Sequence, residues 1–460
     1  MSSVRHVESH ARTAVEARLD AALAAVDEPT IAEVVWTIRP QLAHCRRGAE
    51  SPVFGRRLDP VRHVASVAGA RSGPTCLVVG PVVVLVDTTN HRGVLEPVAA
   101  ATAARVGAEV RRLAPSPPRS GGPSDLRTAA VVTHAVVERC AEAGVTLRAS
   151  AVRRLALSSL RSSRRAEAAL DHASVLVLSN QHQPHMRAWI AVARRGGVRS
   201  VFVPHSALAL TRDHLDVPTD AAGFRSAAEI AVIESLGGRG PIAVVGNPAF
   251  TFDPSPVPSE GPVVFAPSPV GENRLRALVE LTRAGLDDAR CTVLVSPHPR
   301  SDLTVLERLV PHDWQLDRSG TPTRHLLRRG ARALLQSNSG VAWEALASGV
   351  PTIELQLPSD DFGPVTAMAA GGALPVVTRP DQLRAALRVG SDRAQLLETA
   401  HEWCAFTGGH AADRAAQLVQ SVLEDHVPTR PILDAWTRTS TIAAAAVQPI
   451  PGGDDRAMHR

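Results

Sequence analysis

The stretch "LLQSNSGVAWEALASGVPTIEL" (334–355) runs from an apolar strand through a small polar turn into a helix, and on into a second apolar strand. A helix N-terminus presents unpaired N–H donors and a partial positive charge, and small residues let an anion approach that backbone closely. Ser337, Asn338, Ser339 and Gly340 could therefore act together as cap and anion cradle. Glu344, one turn into the following helix, brings a carboxylate that could accept hydrogen bonds from ribose hydroxyls. Two further strand ends carry matching groups. "VSPHPR" (295–300) places His298 and Arg300 just past an apolar run, as charge-assisted donors to phosphate. "APSPVGENR" (266–274) opens a strand through Gly271 into a helix that starts around Asn273 and Arg274. Each has a plainer alternative: Ser or Asn before a helix usually caps it, Pro299 can simply end a strand, and Glu344 can be a solvated helix residue. Their joint occurrence at successive strand ends of one half favours anion binding.

Such residues act together only if the elements bring their strand ends to one edge. At 460 residues the chain is too long for one core, and roughly 150 residues per domain predicts two or three. Two helical patterns occupy a predicted N-terminal extension, 1–72. From 73 to 252 apolar runs such as "CLVVGPVVVLV", "SVLVLSN", "SVFVPH" and "IAVVGNP" alternate with helical patterns. "DPSPVPSEGP" (253–262) breaks the alternation with four prolines and a glycine and reads as a linker. The alternation restarts over 263–425, and a tail of 426–460 follows. Continuous apolar strands separated by helices indicate parallel sheets covered on both faces. The fold class predicted is α/β, two doubly wound Rossmann-like domains facing a cleft, with ligands at the carboxyl ends of the strands.

Composition narrows the chemistry. Every basic residue is Arg, and neither Lys nor Tyr occurs, which excludes a phosphate loop with its Lys, the kinase strand Lys and Schiff-base chemistry. The net charge of +5 favours acidic partners such as nucleotides, phosphates or anionic lipid. Aromatic residues are 3% of the chain and are not interleaved with the arginines, so nucleic acid is not an expected partner. The five cysteines are far apart and form no C-x-x-C pair, and neither a disulfide framework nor a metal site is predicted. A charged N-terminus without an apolar signal region, and no run near the ~20 residues of a membrane span, give a cytoplasmic expectation. The segment 147–170 carries six arginines among small residues. It reads as a solvated basic helix, or alternatively as a peripheral contact with the inner membrane face through 148–165.

"HPR" followed by "QSNSGVAWEALASGVPTIEL" resembles the C-terminal domain of GT-B-fold glycosyltransferases and their relatives. Those relatives are the CDP-glycerol glycerophosphotransferases, the capsule or sialic-acid transferases with His-Pro and Ser motifs, and the sugar-nucleotide 2-epimerases. "VLVLSNQHQPHMRAWIAVARRGGVRSVFVPHSAL" (175–208) and "VVGNP" (244–248) are similar to first-domain segments of the same group. The resemblance covers roughly 75–425. It implies a nucleotide-sugar or CDP-alcohol donor as co-substrate, with no separate cofactor, held by His298 and Ser337/Ser339, and its ribose held by Glu344 or by Glu354 at the next strand end. The transferred group would be a sugar or a glycerol-phosphate-like unit, and the acceptor a glycan, a lipid-linked molecule or a small molecule. Acceptor contacts and the base would come from Asp87, His91, His182, His185 and His205, with His205, His182 and Asp87 as the catalytic candidates. Helix dipole, Arg300 and Arg274 would face the leaving phosphate, so that no metal is required. Ser206 in place of Gly, and Asn180-Gln181 in place of an acidic residue, depart from the pattern. They keep open an epimerase or hydrolase, and a catalytically degenerate scaffold.

Overall fold

The computed structural model describes residues 29–42, 82–107, 110–114, 123–205, 217–235, 240–250, 261–286, 291–357, 366–388 and 392–424, with a few positions around the first of these ranges. Most of the 1–72 segment, Ser206, nearly all of the 253–262 linker and the 426–460 tail lie outside the described residues.

Two six-stranded parallel sheets organise the chain. The first contains β1 (Val82–Leu85), β2 (Val110–Leu113), β3 (Val175–Leu178), β4 (Arg199–Phe202), β5 (Ala221–Phe224) and β6 (Ile242–Val244), in the order β2-β1-β3-β4-β5-β6. β1 sits between β2 and β3, with Val82 in register with both Val110 and Val175. Every residue of β1 and β3 is buried, because each face is covered and alternation would leave a polar group inside. Val83, Leu85, Leu176 and Leu178 enter a core with Met186 and Trp189. Val82, Val84, Val175 and Val177 enter another on the opposite face.

Among the helices that cover the first sheet or stack outside it are α1 (Pro29–Leu42), α2 (Thr89–Val106), α3 (Pro123–Glu142), α4 (Ala149–Ala169) and α5 (Pro184–Arg195). α1, α3 and α4 share their own apolar cluster, from Ile38 and Leu42 to Val136 and Ala156, which α1 joins as a layer of the first half. The basic segment 147–170 is α4, and it is packed between α3, α5 and α1. Arg164 is spent on the buried Asp125, at 2.8 Å, and on Ser124. The short β5, "AAGF", and α6 (Ala227–Ser235) after it were not anticipated from the sequence.

The second sheet contains β7 (Val263–Pro267), β8 (Val293–Val295), β9 (Gln315–Leu316), β10 (Ala333–Ser337), β11 (Thr352–Leu355) and β12 (Val376–Val377), in the order β12-β11-β10-β7-β8-β9. Its helices are α7 (Glu272–Leu286), α8 (Leu303–Leu309), α9 (Thr323–Arg328), α10 (Val341–Ala347), α11 (Ala367–Ala370), α12 (Pro380–Arg388) and α13 (Arg393–Trp403). The closing helix, α14 (Gly408–Leu423), leaves this half and packs on α2, β3, β4 and β5 of the first sheet. By packing, the end of the expected 263–425 unit therefore belongs to the first half. Ala415, Leu418, Val419 and Val422 bury completely or nearly so against Val94 and Val98.

The chain crosses between the halves twice, at 245–250 and at 404–408, and the two crossings are joined. Asn247 N–H donates to Phe406 O at 2.9 Å and Gly408 N–H to Asn247 O at 3.2 Å. Around them Phe250, Trp343, Met368 and Trp403 share a core with Ala228 and Val232 of α6. Among the described residues no helix is long and apolar enough to cross a membrane.

Candidate functional site

In open parallel sheets the crevice for a ligand lies outside the strand ends where the strand order reverses. That point falls between β1 and β3 in the first sheet, and between β7 and β10 in the second. The residues past these strands are Asp87, the 179–185 loop, the 268–271 loop and the Asn338–Gly340 turn.

Four of the five first-half candidates converge. His185, in the first turn of α5, places Nε2 3.1 Å from Asp87 Oδ2 just past β1. A carboxylate only accepts, so this contact puts the imidazole proton on Nε2 and leaves Nδ1 as the proton-accepting atom of the neutral ring. His205, past β4, donates from Nδ1 to the Ser179 carbonyl at 2.7 Å, which leaves its Nε2 as the acceptor. His91 meets the His205 ring edge-on, with centroids 4.4 Å apart. Burial, then His205, push the His91 imidazole down to about 3, against the pull of Asp87. Burial lowers His205 as well, and the Arg225 and Arg300 charges add to it. His91 and His205 are thus neutral at ordinary pH. Arg300 belongs to the second half, and its charge is felt at His205.

The 179–185 loop is built by local chemistry. Asn180 Oδ1 accepts from the His182 and Gln183 amides at 2.9 and 3.1 Å, a turn that an acidic side chain could make equally well, and Pro184 opens α5. His182 is half-buried in this turn and is not part of the Asp87–His185 contact. Among the described residues no group of three or more His, Cys, Asp or Glu is arranged to hold an ion.

In the second half, Asn338 adopts a left-handed backbone, φ 51°, which Asn tolerates better than most residues. Its carbonyl accepts from Ser268 Oγ at 3.1 Å, which ties the β7 and β10 loops together. The turn corrects the expected cradle in part. The Ser339 amide is consumed by Gln336 Oε1 at 2.7 Å, and Ser337 is buried. Ser339 Oγ faces the Val341 amide at 3.4 Å, and Asn338, Ser339 and Gly340 are half-buried.

His298 accepts from the Arg300 amide through Nδ1 at 3.1 Å, so its neutral ring offers an Nε2–H. Burial, helped by the Arg300 charge, lowers it to about 4. The expected charge-assisted donor is therefore a neutral one, and the positive charge at this edge comes from Arg300. Gly271 is buried and its carbonyl begins α7, while Arg274 is half-buried and Asn273 exposed in the first turn. Glu344 is half-buried, its carboxyl raised by burial against the opposing pull of Arg324 and Arg328.

Glu354 is corrected outright. It is 3% exposed, and its carboxylate takes the Thr366 amide at 3.1 Å, the Thr366 hydroxyl at 2.6 Å and Gln336 Nε2 at 3.4 Å. With these bonds made internally, it anchors the start of α11 and has no free face for a ribose. The residues missed are the supports: Gln336, Ser268 and Thr366 here, and the buried Arg225–Glu229 pair at 2.8 Å after β5. One signal was available, since Gln336 is a lone amide inside the apolar run "ALLQS".

No protein-family model matches the chain, and no curated protein matches it in sequence. Among solved structures, the S. aureus MnaA–UDP co-structure is similar at 12% identity and a TM-score of 0.51, over 76% of this chain and 98% of that one. A UDP-N-acetylglucosamine 2-epimerase from Rickettsia bellii is similar at 12% identity and a TM-score of 0.48, over 78% and 98%. The glycosyltransferase of kitacinnamycin stands at 16% and 0.46, over 74% and 98%. At such identities the likeness speaks to architecture. Two facing parallel sheets, one closing helix returned to the first, and the MnaA likeness over nearly that whole chain give this protein the GT-B fold.

Proposed function

We propose that the chain is a nucleotide-sugar-dependent transferase, taking its donor at the second sheet and its acceptor hydroxyl at the first. The observation that carries this reading is the opposed hydrogen-bond polarity of the two facing edges. The first offers proton-accepting imidazole nitrogens at His185 and His205, oriented by Asp87 and by the Ser179 carbonyl. The second offers the His298 N–H beside the Arg300 cation. A hydroxyl that loses its proton suits the first edge and a departing phosphate suits the second.

In this reading His185 is the base and Asp87 its orienter, a base held by a third group. His298, Arg300 and Arg274 stabilise the leaving phosphate, Asn338, Ser339, Gly340 and Glu344 complete the donor side, and the chemistry calls for no metal ion. UDP heads the list of donors to try, since it is the nucleotide of the MnaA co-structure.

The test is a thermal-shift panel with UDP, CMP, CDP, GDP and their sugars on the intact chain, on His298→Ala and on Asp87→Asn. A nucleotide at about a hundred times its Kd stabilises by about 2.7 kcal/mol. That stabilisation is expected in the wild type and in Asp87→Asn, and is lost in His298→Ala. With the stabilising donor and an acceptor, transfer is expected to fall by about 100-fold or more in Asp87→Asn. Turnover of the donor without any acceptor would make the chain an epimerase or hydrolase. No stabilisation by any nucleotide would make it a scaffold.

A further inference from the structure

The His182–His185 loop is held from behind by a guanidinium. Arg187, on the first turns of α5, is 2% exposed. Its Nε donates to the Gln181 carbonyl at 3.2 Å and its Nη1 to the Trp36 carbonyl at 3.1 Å. Trp36 lies on α1, and the guanidinium stacks over its ring, 4.8 Å from the centroid. In an α-helix the Trp36 carbonyl would take the amide of the residue four positions on, but that residue is Pro40, which has no N–H. A buried carbonyl without a partner is costly, and Arg187 supplies the donor that Pro40 withholds. The fit is specific to arginine. A planar fork can stack on an indole and donate in two directions at once, whereas an ammonium cannot. Arg194 and Arg195 reinforce the same junction, the first over Trp36 at 5.3 Å and the second paired with Glu33.

We propose that Arg187 is a positioning residue for the acceptor edge, which makes the N-terminal helix a working part of the site. By fixing the Gln181 carbonyl to α1, it sets where α5 begins and hence where His185 meets Asp87. Pro40 and Trp36, one turn apart on α1, and the distant Arg187 form one device whose parts make sense only together. The proposal rests on the first edge being the acceptor side, but its test needs no substrate, so a failed nucleotide panel and a failure here are separate outcomes.

The experiment reads the tautomer of His185 in the full-length chain by long-range 1H–15N correlation, with the signal assigned by its disappearance in His185→Gln. In the wild type the ring carries its proton on Nε2, and Asp87→Asn provides the spectrum of the ring without its orienting carboxylate. Arg187→Met keeps the bulk and removes both donors, and is expected to lose the wild-type signature and approach the Asp87→Asn spectrum. Arg187→Lys, which reaches one carbonyl, is expected to recover it in part. If Arg187→Met melts earlier while the His185 signal stays as in the wild type, Arg187 is only a core residue and the proposal is overturned. Should Arg187→Met fail to fold, Arg187→Lys decides by the same signal: an unchanged signature overturns the proposal and a shifted one supports it.

Discussion

A buried imidazole is a record of how much protein surrounds it. His91 keeps its ring inside, edge-on to His205, and burial is the larger cause of its fall from 6.5 to about 3. As pH drops below 6.5, the unfolded chain takes up a proton that the folded chain refuses until about 3. Its contribution is thus complete above 6.5 and is lost as the medium acidifies, by up to about 1.4 kcal/mol per pH unit. Denaturant titrations at about pH 7.5 and about pH 5 should show that His91→Asn loses about 1–2 kcal/mol less across that interval than the wild type does. An equal loss in both would mean that His91 is not the group being protonated. At this scale the sequence marks residue types but not their company. His298 and Glu354 both sit at the carboxyl ends of apolar strands, yet one takes the Arg300 amide in an exposed turn and the other is enclosed by Thr366 and Gln336. Nothing in the spacing separates them, because Thr366 reaches Glu354 from a later loop.

Gly246 shows what an element boundary demands. Its φ is 86°, and a Cβ there would stand 2.1 Å from the Phe406 carbonyl oxygen of the other crossing. Gly107, at the end of α2, has φ 63° and open space around it. Gly107→Ala should therefore cost only the conformational penalty, about 1 kcal/mol. Gly246→Ala adds a backbone collision that the joined crossings cannot relax, and should cost at least about 3 kcal/mol in calorimetry. Matching costs at the two glycines would show that the crossings yield. The elements themselves were largely legible, since Val and Leu runs between amphipathic stretches have few other uses. β5 escaped because "AAGF" carries no β-branched residue, and it is small for a reason: Gly223 leaves no room for a Cβ, which would lie 2.5 Å from Val245.

Across the whole molecule, the closing helix decides what counts as a folding unit. Removing residues 408–460 takes away α14 and uncovers one face of the first sheet. Leu418, Val419 and Val422 are each worth about 1.5–3 kcal/mol of burial, so the loss should fall on β1, β3 and α2, although the deleted residues follow the second half. Hydrogen exchange of the truncated chain should show those segments opening while β7 and β10 stay protected. Uniform protection would place the helix outside the core. This return was not legible in the sequence, because an amphipathic helix reads the same whichever sheet it covers. It also has a meaning for the order in which a ribosome delivers the chain. Residues 82–244 emerge before the second half, but the apolar face that α14 covers stays open until α14 has cleared the exit tunnel, after every strand of the second half. The half made earlier is thus the last to be completed, and a chaperone that shields that face during synthesis would have its longest task here.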